Sequence, residues 1–298
     1  MRRIISMAFA LALALMMPMT TNAKKAKKEV AFQMYSVRDL IGNPDKYAKN
    51  QAKVLSDLRK MGYTAVEAAN YGNGKLYGVT PEQFKADIEA AGLKVLSSHT
   101  TRNLNNEELA NRNFTEALKW WDECIDAHKR AGCKYIVIPS SSVPRTIKDL
   151  QTMCDFYTEV GKRVNAAGMK LGYHNHSHEF QKVENKEVMI DYMIKNIAPE
   201  YMFFQMDVYW VMRAAASPVE YFNKYPGRFA MYHIKDHKEI GQSGMVGFDA
   251  IFKNYKTAGM EEWVLELENP STPDVMKGMQ VSIDYILESD FIKKSYGK

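Results

Sequence analysis

The stretch that indicates the fold runs from residue 134 to residue 176 and reads KYIVIPSSSVPRTIKDLQTMCDFYTEVGKRVNAAGMKLGYHNH. It begins with a short apolar run at 134–140 and ends with another at 169–176. Between them, residues 150–168 carry apolar side chains at three-and-four spacing and finish at Gly168, a pattern typical of an amphipathic helix with a glycine C-cap. The stretch therefore predicts a strand, a helix and a second strand.

The same alternation extends along most of the chain. Longer amphipathic segments ending in glycine, such as 47–62, 81–92 and 113–132, separate the short apolar runs. The runs are 30–36, 64–69, 93–99, 134–140, 169–176, 202–208, 228–236 and 262–268. Eight strand and helix units spaced by about thirty residues are what a closed parallel barrel requires. The sequence predicts an α/β protein, a single-domain (β/α)8 TIM barrel.

A doubly wound open sheet is the competing fold. Such a sheet usually carries a glycine-rich phosphate-binding loop after its first strand. Here that position reads QMYSVRDL, at residues 33–40, and contains no glycine. The barrel is therefore the preferred prediction.

The N-terminus has the features of an export signal. Arg2 and Arg3 precede an apolar run at 4–19, and the small residues Thr-Asn-Ala follow at 21–23. This pattern predicts a signal peptide at 1–23, a basic leader at 24–29 and the barrel at 30–298. We expect the mature protein to be periplasmic or secreted, with no membrane attachment after cleavage.

Charge and cysteine content limit the other classes of partner. The chain of 298 residues has a formal net charge of +5, and the two arginines of the signal contribute to it. A nearly neutral folded part lacks the broad basic face that nucleic acid binding requires. The three cysteines show no metal-binding spacing, and their odd number argues against a disulfide framework. Homo-oligomer formation is left open.

Polar residues close the last four predicted strands. Glu179, Asp207, His233 and Glu266 follow one another at intervals of 28, 26 and 33 residues, which is one ligand atom for each strand and helix unit. Because active sites of such barrels lie at the C-terminal ends of the strands, these side chains are expected to meet. Three carboxylates and one imidazole suit a single divalent ion, namely Mn, Co, Mg or Zn. Open coordination positions would suit the carbonyl and hydroxyl oxygens of a sugar.

Several short motifs resemble those of a known family. They are QMYSVRD (33–39), SSH (97–99), GYHNHSHEF (172–180), MDVYWV (206–211), HIKD (233–236), VGFD (246–249) and WVLELENP (263–270). In order and spacing the chain resembles the xylose isomerase-like TIM barrels, the sugar phosphate isomerase/epimerase superfamily, in an exported bacterial subgroup. The resemblance implies the same four metal ligands, with His178 as the alternative to Glu179 and Glu268 as the alternative to Glu266.

Other residues at strand ends complete the predicted site. His174 and His176 are candidate proton carriers or hydrogen-bond donors, and a turn near Ser177 is needed to bring Glu179 to the metal. Glu179 or Glu266 is the candidate proton acceptor, and Lys235 is placed to polarise a substrate oxygen. Candidate substrate-binding residues are Tyr35, Glu67, His99 and Trp210.

The motifs favour an enzyme that removes a proton next to a carbonyl group and proceeds through a metal-bound enediolate, as in sugar isomerases and epimerases. Ketose epimerases of the family usually have a histidine three residues after the aspartate, where this chain has Trp210. Together with the export signal, this difference favours an unphosphorylated carbohydrate substrate. The alternatives are a 3-keto-glycoside lyase or hydrolase acting by β-elimination, a metal-dependent endonuclease of the same superfamily, and a periplasmic sugar-binding protein without catalysis.

Overall fold

The fold is a closed barrel of eight parallel strands surrounded by helices, seen in a computed structural model that describes residues 28–296. The strands are β1 Ala31–Gln33, β2 Ala65–Ala68, β3 Lys94–His99, β4 Tyr135–Ile138, β5 Lys170–His174, β6 Phe203–Asp207, β7 Met231–Ile234 and β8 Glu262–Leu265. Each strand pairs with its neighbours in the sequence, and β8 closes the barrel on β1. The predicted (β/α)8 barrel is confirmed, and each strand lies inside its predicted apolar run.

The helices occupy the connections between strands. They are α1 Arg38–Ile41, α2 Pro44–Met61, α3 Pro81–Ala90, α4 Asn106–Asn111, α5 Thr115–Arg130, α6 Ile147–Ala166, α7 Met189–Asn196, α8 Val208–Arg213, α9 Pro218–Lys224, α10 Phe248–Lys253, α11 Tyr255–Ala258 and α12 Val275–Glu288. The connection between β7 and β8 contains two short helices, α10 and α11, which are separated at Asn254. Two antiparallel hairpins, Tyr71–Leu76 and Lys182–Val188, project from the connections after β2 and β5.

Alternation along the strands separates two layers inside the barrel. The lower layer is apolar and consists of Ala31, Tyr135, Val137, Phe203, Met231 and Val264. Because successive side chains of a strand point to opposite faces, residues two and four positions after these also point inward. Phe203, Gln205 and Asp207 on β6 illustrate this series. The upper layer, toward the C-terminal ends of the strands, is therefore polar.

Gly172 on β5 is required by the packing of the lower layer. A Cβ atom at this position would lie 2.4 Å from Cζ of Phe203. The absence of a side chain gives the Phe203 ring its space in the barrel. The sequence of β5 is thus matched to the neighbouring strand.

Three further features bear on the predictions from sequence. Cys124, Cys133 and Cys154 are buried and are not paired in disulfides. Within residues 28–296, none of the helices combines the length and apolar character that crossing a bilayer requires. The predicted signal peptide and residues 24–27 of the basic leader lie outside the described residues.

Candidate active site

Three of the four predicted ligands meet at the C-terminal ends of adjacent strands. Asp207 ends β6, His233 lies on β7, and Glu266 directly follows β8. His233 Nδ1 is 3.3 Å from Asp207 Oδ2 and 3.9 Å from Glu266 Oε2. All three side chains are buried, and each offers a donor atom within 4.8 Å of the other two. The register that pairs Asp207 with His233 sets them at one level.

Glu179 lies apart from this group, in a second cluster with His176 and His178. The expected turn is present, because a 3₁₀ turn begins at His178 immediately after Ser177. Glu179 Oε1 accepts a hydrogen bond from the Tyr173 hydroxyl at 2.9 Å. Oε2 accepts from the backbone N–H of His176 at 2.8 Å. The expected convergence of Glu179 with the other three ligands is therefore not what the structure shows.

The alternative ligand His178 belongs to the same second cluster. Its Nε2 is 2.9 Å from the carbonyl oxygen of Ser141 and 3.1 Å from Glu179 Oε1. The hydrogen bond with Glu179 raises the pKa of His178. Together Glu179 and His178 fix the loop after β5 against the neighbouring loop.

His174 is the residue of that segment that reaches the central group. Its Nε2 is 3.8 Å from Asp207 Oδ2, and its ring centre is 4.6 Å from that of His233. Burial, together with the neighbouring His233 and His99, lowers the pKa of His174 well below its ordinary value, so the ring is neutral. His174 Nδ1 is 2.9 Å from Gln205 Oε1, an acceptor, which leaves the Nε2 lone pair facing the site.

Glu67 on β2 is the centre of a buried hydrogen-bond network beneath these residues. Its two oxygens accept from Gln33 Nε2 at 2.9 Å, Ser97 Oγ at 2.7 Å and Gln205 Nε2 at 2.9 Å. His99 Nε2 lies 3.0 Å from Glu67 Oε1, and His233 Nε2 lies 3.4 Å from it. Burial alone would raise the pKa of Glu67, but the His99 and His233 imidazoles hold it below its ordinary value.

Gln205, like Gln33 and Ser97, is a residue of this network that the sequence analysis did not single out. Its amide joins three side chains, because Nε2 donates to Glu67 and Oε1 faces both His174 and His99. The sequence feature that could have identified it is its position two residues before Asp207, among the residues of β6 that point into the barrel. A buried glutamine there needs partners on other strands.

The central group carries an excess of negative charge. Lys235 Nζ is 2.8 Å from Glu266 Oε2 and also contacts Glu268, the alternative ligand at the rim. Burial would lower the pKa of Lys235, but Glu266 and Asp207 raise it above its ordinary value. Burial likewise opposes protonation of His233, yet Asp207 and Glu67 raise its pKa to about 10. Carboxylates of Glu67, Asp207, Glu266 and Glu268 thus face two cations, a donor set that fits a divalent ion.

The candidate substrate-binding residues lie at different depths. Trp210 and His176 border the central group, with ring centres 5.4 Å apart. Lys235 Nζ lies 5.2 Å from the centre of the Trp210 ring. Tyr35 is 44% exposed and stacks with Arg38, so it lies at the rim of the barrel.

The arrangement of buried polar groups at the C-terminal ends of a closed barrel agrees with the sequence comparison. Residues 55–288 match the profile of the xylose isomerase-like TIM barrel. The chain belongs to this family. The recognition made from the motifs is therefore confirmed.

Solved structures of xylose isomerase-like barrels include two that are similar over most of the chain. A sugar phosphate isomerase/epimerase from Parabacteroides distasonis ATCC 8503 is 31% identical with a TM-score of 0.79, and the match covers 89% of this chain and 100% of that one. A second from the same organism is 29% identical with a TM-score of 0.82, covering 91% and 99%. No curated protein matches the sequence significantly.

Two more distant solved structures share the fold. An L-ribulose 3-epimerase is 14% identical with a TM-score of 0.67, covering 87% of this chain and 93% of that one. The IolI protein, solved with a zinc atom, is 15% identical with a TM-score of 0.66, covering 91% and 100%. At this identity the likeness concerns the fold alone.

A cavity of about 610 Å³ lies at the opposite end of the xylose isomerase-like barrel. It is lined at the N-terminal ends of the strands by residues such as Ala31, Lys94 and Trp263. The ionisable groups described above are on the other side of the apolar layer. Since chemistry in this fold takes place at the C-terminal ends, the candidate active site is the group of ionisable residues there and not the cavity.

Proposed function

We propose that the protein is a divalent-metal-dependent enzyme of the sugar isomerase/epimerase type, acting on an unphosphorylated carbohydrate. The meeting of Asp207, His233 and Glu266 in a buried, electronegative site carries this proposal. Membership in the family and the sugar isomerases and epimerases among its structural neighbours support an enzyme in general.

Asp207, His233 and Glu266 would hold the ion. A divalent ion at this position would polarise a carbonyl oxygen and its neighbouring hydroxyl, which acidifies the C–H bond beside the carbonyl. Because Glu179 is bonded to Tyr173 and to the His176 backbone, we assign it to holding the loop.

The side chains of the protein then move the proton. His174 is neutral and its Nε2 lone pair faces the site, so it is placed to accept the proton from carbon, as is Glu266. Lys235 offsets the negative charge that develops on the enediolate oxygens. Return of the proton to the adjacent carbon gives an isomer, and return to the other face of the same carbon gives an epimer.

The site favours a neutral substrate over a phosphorylated one. Four carboxylates, those of Glu67, Asp207, Glu266 and Glu268, outnumber the one ammonium of the site, Lys235, so a phosphate group would meet net repulsion there. The export signal expected at residues 1–23 supports the same choice, since it would place the mature enzyme in the periplasm or outside the cell.

Elimination is the second reaction that the same site supports. After proton removal, loss of a β-positioned glycosidic oxygen would cleave a 3-keto-glycoside instead of epimerising it. The Nε2 atom of His178, hydrogen-bonded to the Ser141 carbonyl, lies outside the central group, so the acid for the leaving group would come from His174 or His176. Product analysis separates the two reactions.

Metal content of the purified mature protein is the first test. Elemental analysis is expected to find about one equivalent of Mn, Co, Mg or Zn in the wild type, and to find that Asp207→Asn and His233→Ala lose it. Glu179→Gln should keep the metal if its carboxylate only holds the loop. Glu159→Gln, on the exposed face of α6, is the control for handling losses.

Proton exchange then tests the chemistry. The metal-loaded protein in D₂O should place deuterium on the carbon next to the carbonyl of unphosphorylated ketoses or 3-keto-glycosides. An exchanged epimer without cleavage supports epimerisation, whereas cleavage without an epimer supports elimination. If the protein binds a sugar but holds no metal and incorporates no deuterium, the proposal is wrong and the protein is a sugar-binding protein.

A further inference from the structure

Two buried nitrogen atoms beside the central group have no hydrogen-bond partner within residues 28–296. They are His176 Nδ1 and Trp210 Nε1. By contrast, the indole N–H of Trp121 donates to the carbonyl oxygen of Arg102 at 3.1 Å. A buried polar atom without a hydrogen-bond partner destabilises the folded state, so its presence in a native structure needs a physical reason.

The two atoms belong to rings that lie side by side. The His176 and Trp210 ring centres are 5.4 Å apart. His176 also contacts His174 at 4.9 Å between ring centres, and His174 reaches Asp207. His233 Nε2, within the central group, also makes no hydrogen bond, but it lies 3.4 Å from Glu67 Oε1. The His176 and Trp210 nitrogens form a pair next to the candidate metal ligands.

Both residues are held in place by backbone hydrogen bonds. The His176 N–H donates to Glu179 Oε2 at 2.8 Å, and the Trp210 N–H donates to Asp207 Oδ1 at 2.8 Å. Glu179 is itself fixed by the Tyr173 hydroxyl. Groups that are positioned in advance lose little entropy when a ligand binds.

We propose that His176 Nδ1 and Trp210 Nε1 form a subsite that hydrogen-bonds two hydroxyl oxygens on the part of the sugar that does not react. The inference rests on the proposed function, because it assumes a carbohydrate in the adjacent centre. An indole N–H only donates, so the ligand atom facing it must be an acceptor. A hydroxyl oxygen satisfies this requirement without bringing a charge into a site rich in carboxylates.

D-sorbitol is a suitable probe, because it has the hydroxyl groups of a hexose but no carbonyl and no phosphate. Its affinity is measured by isothermal titration calorimetry with Mn²⁺-loaded and with metal-free protein. Trp210→Phe removes the N–H and keeps an aromatic ring. We expect sorbitol to bind about tenfold more weakly to Trp210→Phe and to His176→Phe, the factor for one lost hydrogen bond. Mn²⁺ affinity should change less than twofold in Trp210→Phe.

Monodeoxy hexitols identify the hydroxyl that is recognised. One of them should bind the wild type about tenfold more weakly than sorbitol does. The same compound should bind Trp210→Phe as tightly as sorbitol binds that variant, since the two changes remove the same hydrogen bond. Equal losses in both proteins for every monodeoxy hexitol would overturn the proposal. So would a wild type that does not bind sorbitol, or a Trp210→Phe variant that binds it as tightly as the wild type.

The result separates the subsite from the proposed enzyme. If sorbitol binding depends on Trp210 while Mn²⁺ does not bind, the subsite stands and the metal enzyme falls. If Mn²⁺ binds and the affinity for sorbitol is unchanged in Trp210→Phe, only the proposed subsite is wrong.

Stability supplies an independent readout. Trp121→Phe breaks a buried hydrogen bond and leaves the Arg102 carbonyl without its donor, whereas Trp210→Phe removes an N–H that has no partner. Urea unfolding should therefore show a clearly larger loss for Trp121→Phe than for Trp210→Phe. An equal loss in the two variants would mean that the Trp210 N–H is already satisfied in the free protein, and would overturn the assignment.

Discussion

Replacing Glu67 by glutamine tests the buried network that supports the active site. Glu67 is fully buried, and its oxygens accept from Gln33 Nε2, Ser97 Oγ and Gln205 Nε2. Glutamine has nearly the same shape as glutamate but offers one NH₂ group in place of one oxygen. The change therefore alters hydrogen bonding and charge with little effect on packing.

Neither orientation of the new amide satisfies its neighbours. If its NH₂ replaces Oε1, it faces Gln33 Nε2, and Gln33 cannot reverse its amide because its Oε1 already accepts from the Tyr35 N–H. If the NH₂ replaces Oε2, it faces Gln205 Nε2, and Gln205 Oε1 is occupied by His99 and His174. In each case two donors meet in a site that excludes water.

This conflict, with the loss of the negative charge beside His99 and His233, should cost about 2–4 kcal/mol of the free energy of unfolding. For a barrel of this size the melting temperature should fall by roughly 5–10 °C. Urea unfolding followed by circular dichroism measures the free energy directly, with Glu159→Gln on the exposed face of α6 as the matched control. The control should change stability by less than about 1 kcal/mol. A Glu67→Gln variant as stable as this control would refute the network as described.

Three further substitutions have definite expected outcomes. Lys235→Met should bind Mn²⁺ at least about tenfold more tightly in calorimetry, because an ammonium 2.8 Å from Glu266 Oε2 repels the ion and competes for that oxygen. Lys235→Arg keeps the positive charge and should show no such gain. Weaker Mn²⁺ binding to Lys235→Met would contradict this reasoning. Gly172→Ala should lose about 1–3 kcal/mol of stability, since the new Cβ would be 2.4 Å from Phe203, and a second change of Phe203 to Leu should restore part of it. Burial lowers the pKa of His128 from 6.5 to about 4, so the unfolded chain takes up a proton first as the pH falls. This should remove about 2 kcal/mol of stability between pH 8 and pH 5, and His128→Gln, compared in urea unfolding at both pH values, should lose less.

The sequence alone determined the barrel and most of the central site. Strand and helix periods are local properties of the chain, and eight alternations leave few ways to bury the apolar faces. The same alternation explains why Asp207, His233 and Glu266 meet: each continues an inward-facing series at the C-terminal end of its strand. Position along a strand was sufficient to predict that these three side chains point to one place.

The position of Glu179 depended on tertiary structure. It lies beyond the end of β5, where alternation no longer fixes direction, and the sequence could only require a turn near Ser177. The Tyr173 hydroxyl donates to one oxygen of its carboxylate and the His176 N–H donates to the other, and these two hydrogen bonds hold it in the second cluster. His174, which is still on the strand, comes within 3.8 Å of Asp207 instead.

For Gln205 too, the sequence determines one property and the tertiary structure another. Its inward direction follows from its place two residues before Asp207, but its importance comes from Glu67, which is distant in the sequence and lies on β2 across the barrel. Local patterns determine which face of a strand a side chain occupies, because that depends on backbone geometry alone. Which groups it then bonds is decided only when the closed barrel brings non-neighbouring strands together, because a buried polar atom takes the partners that the folded interior provides.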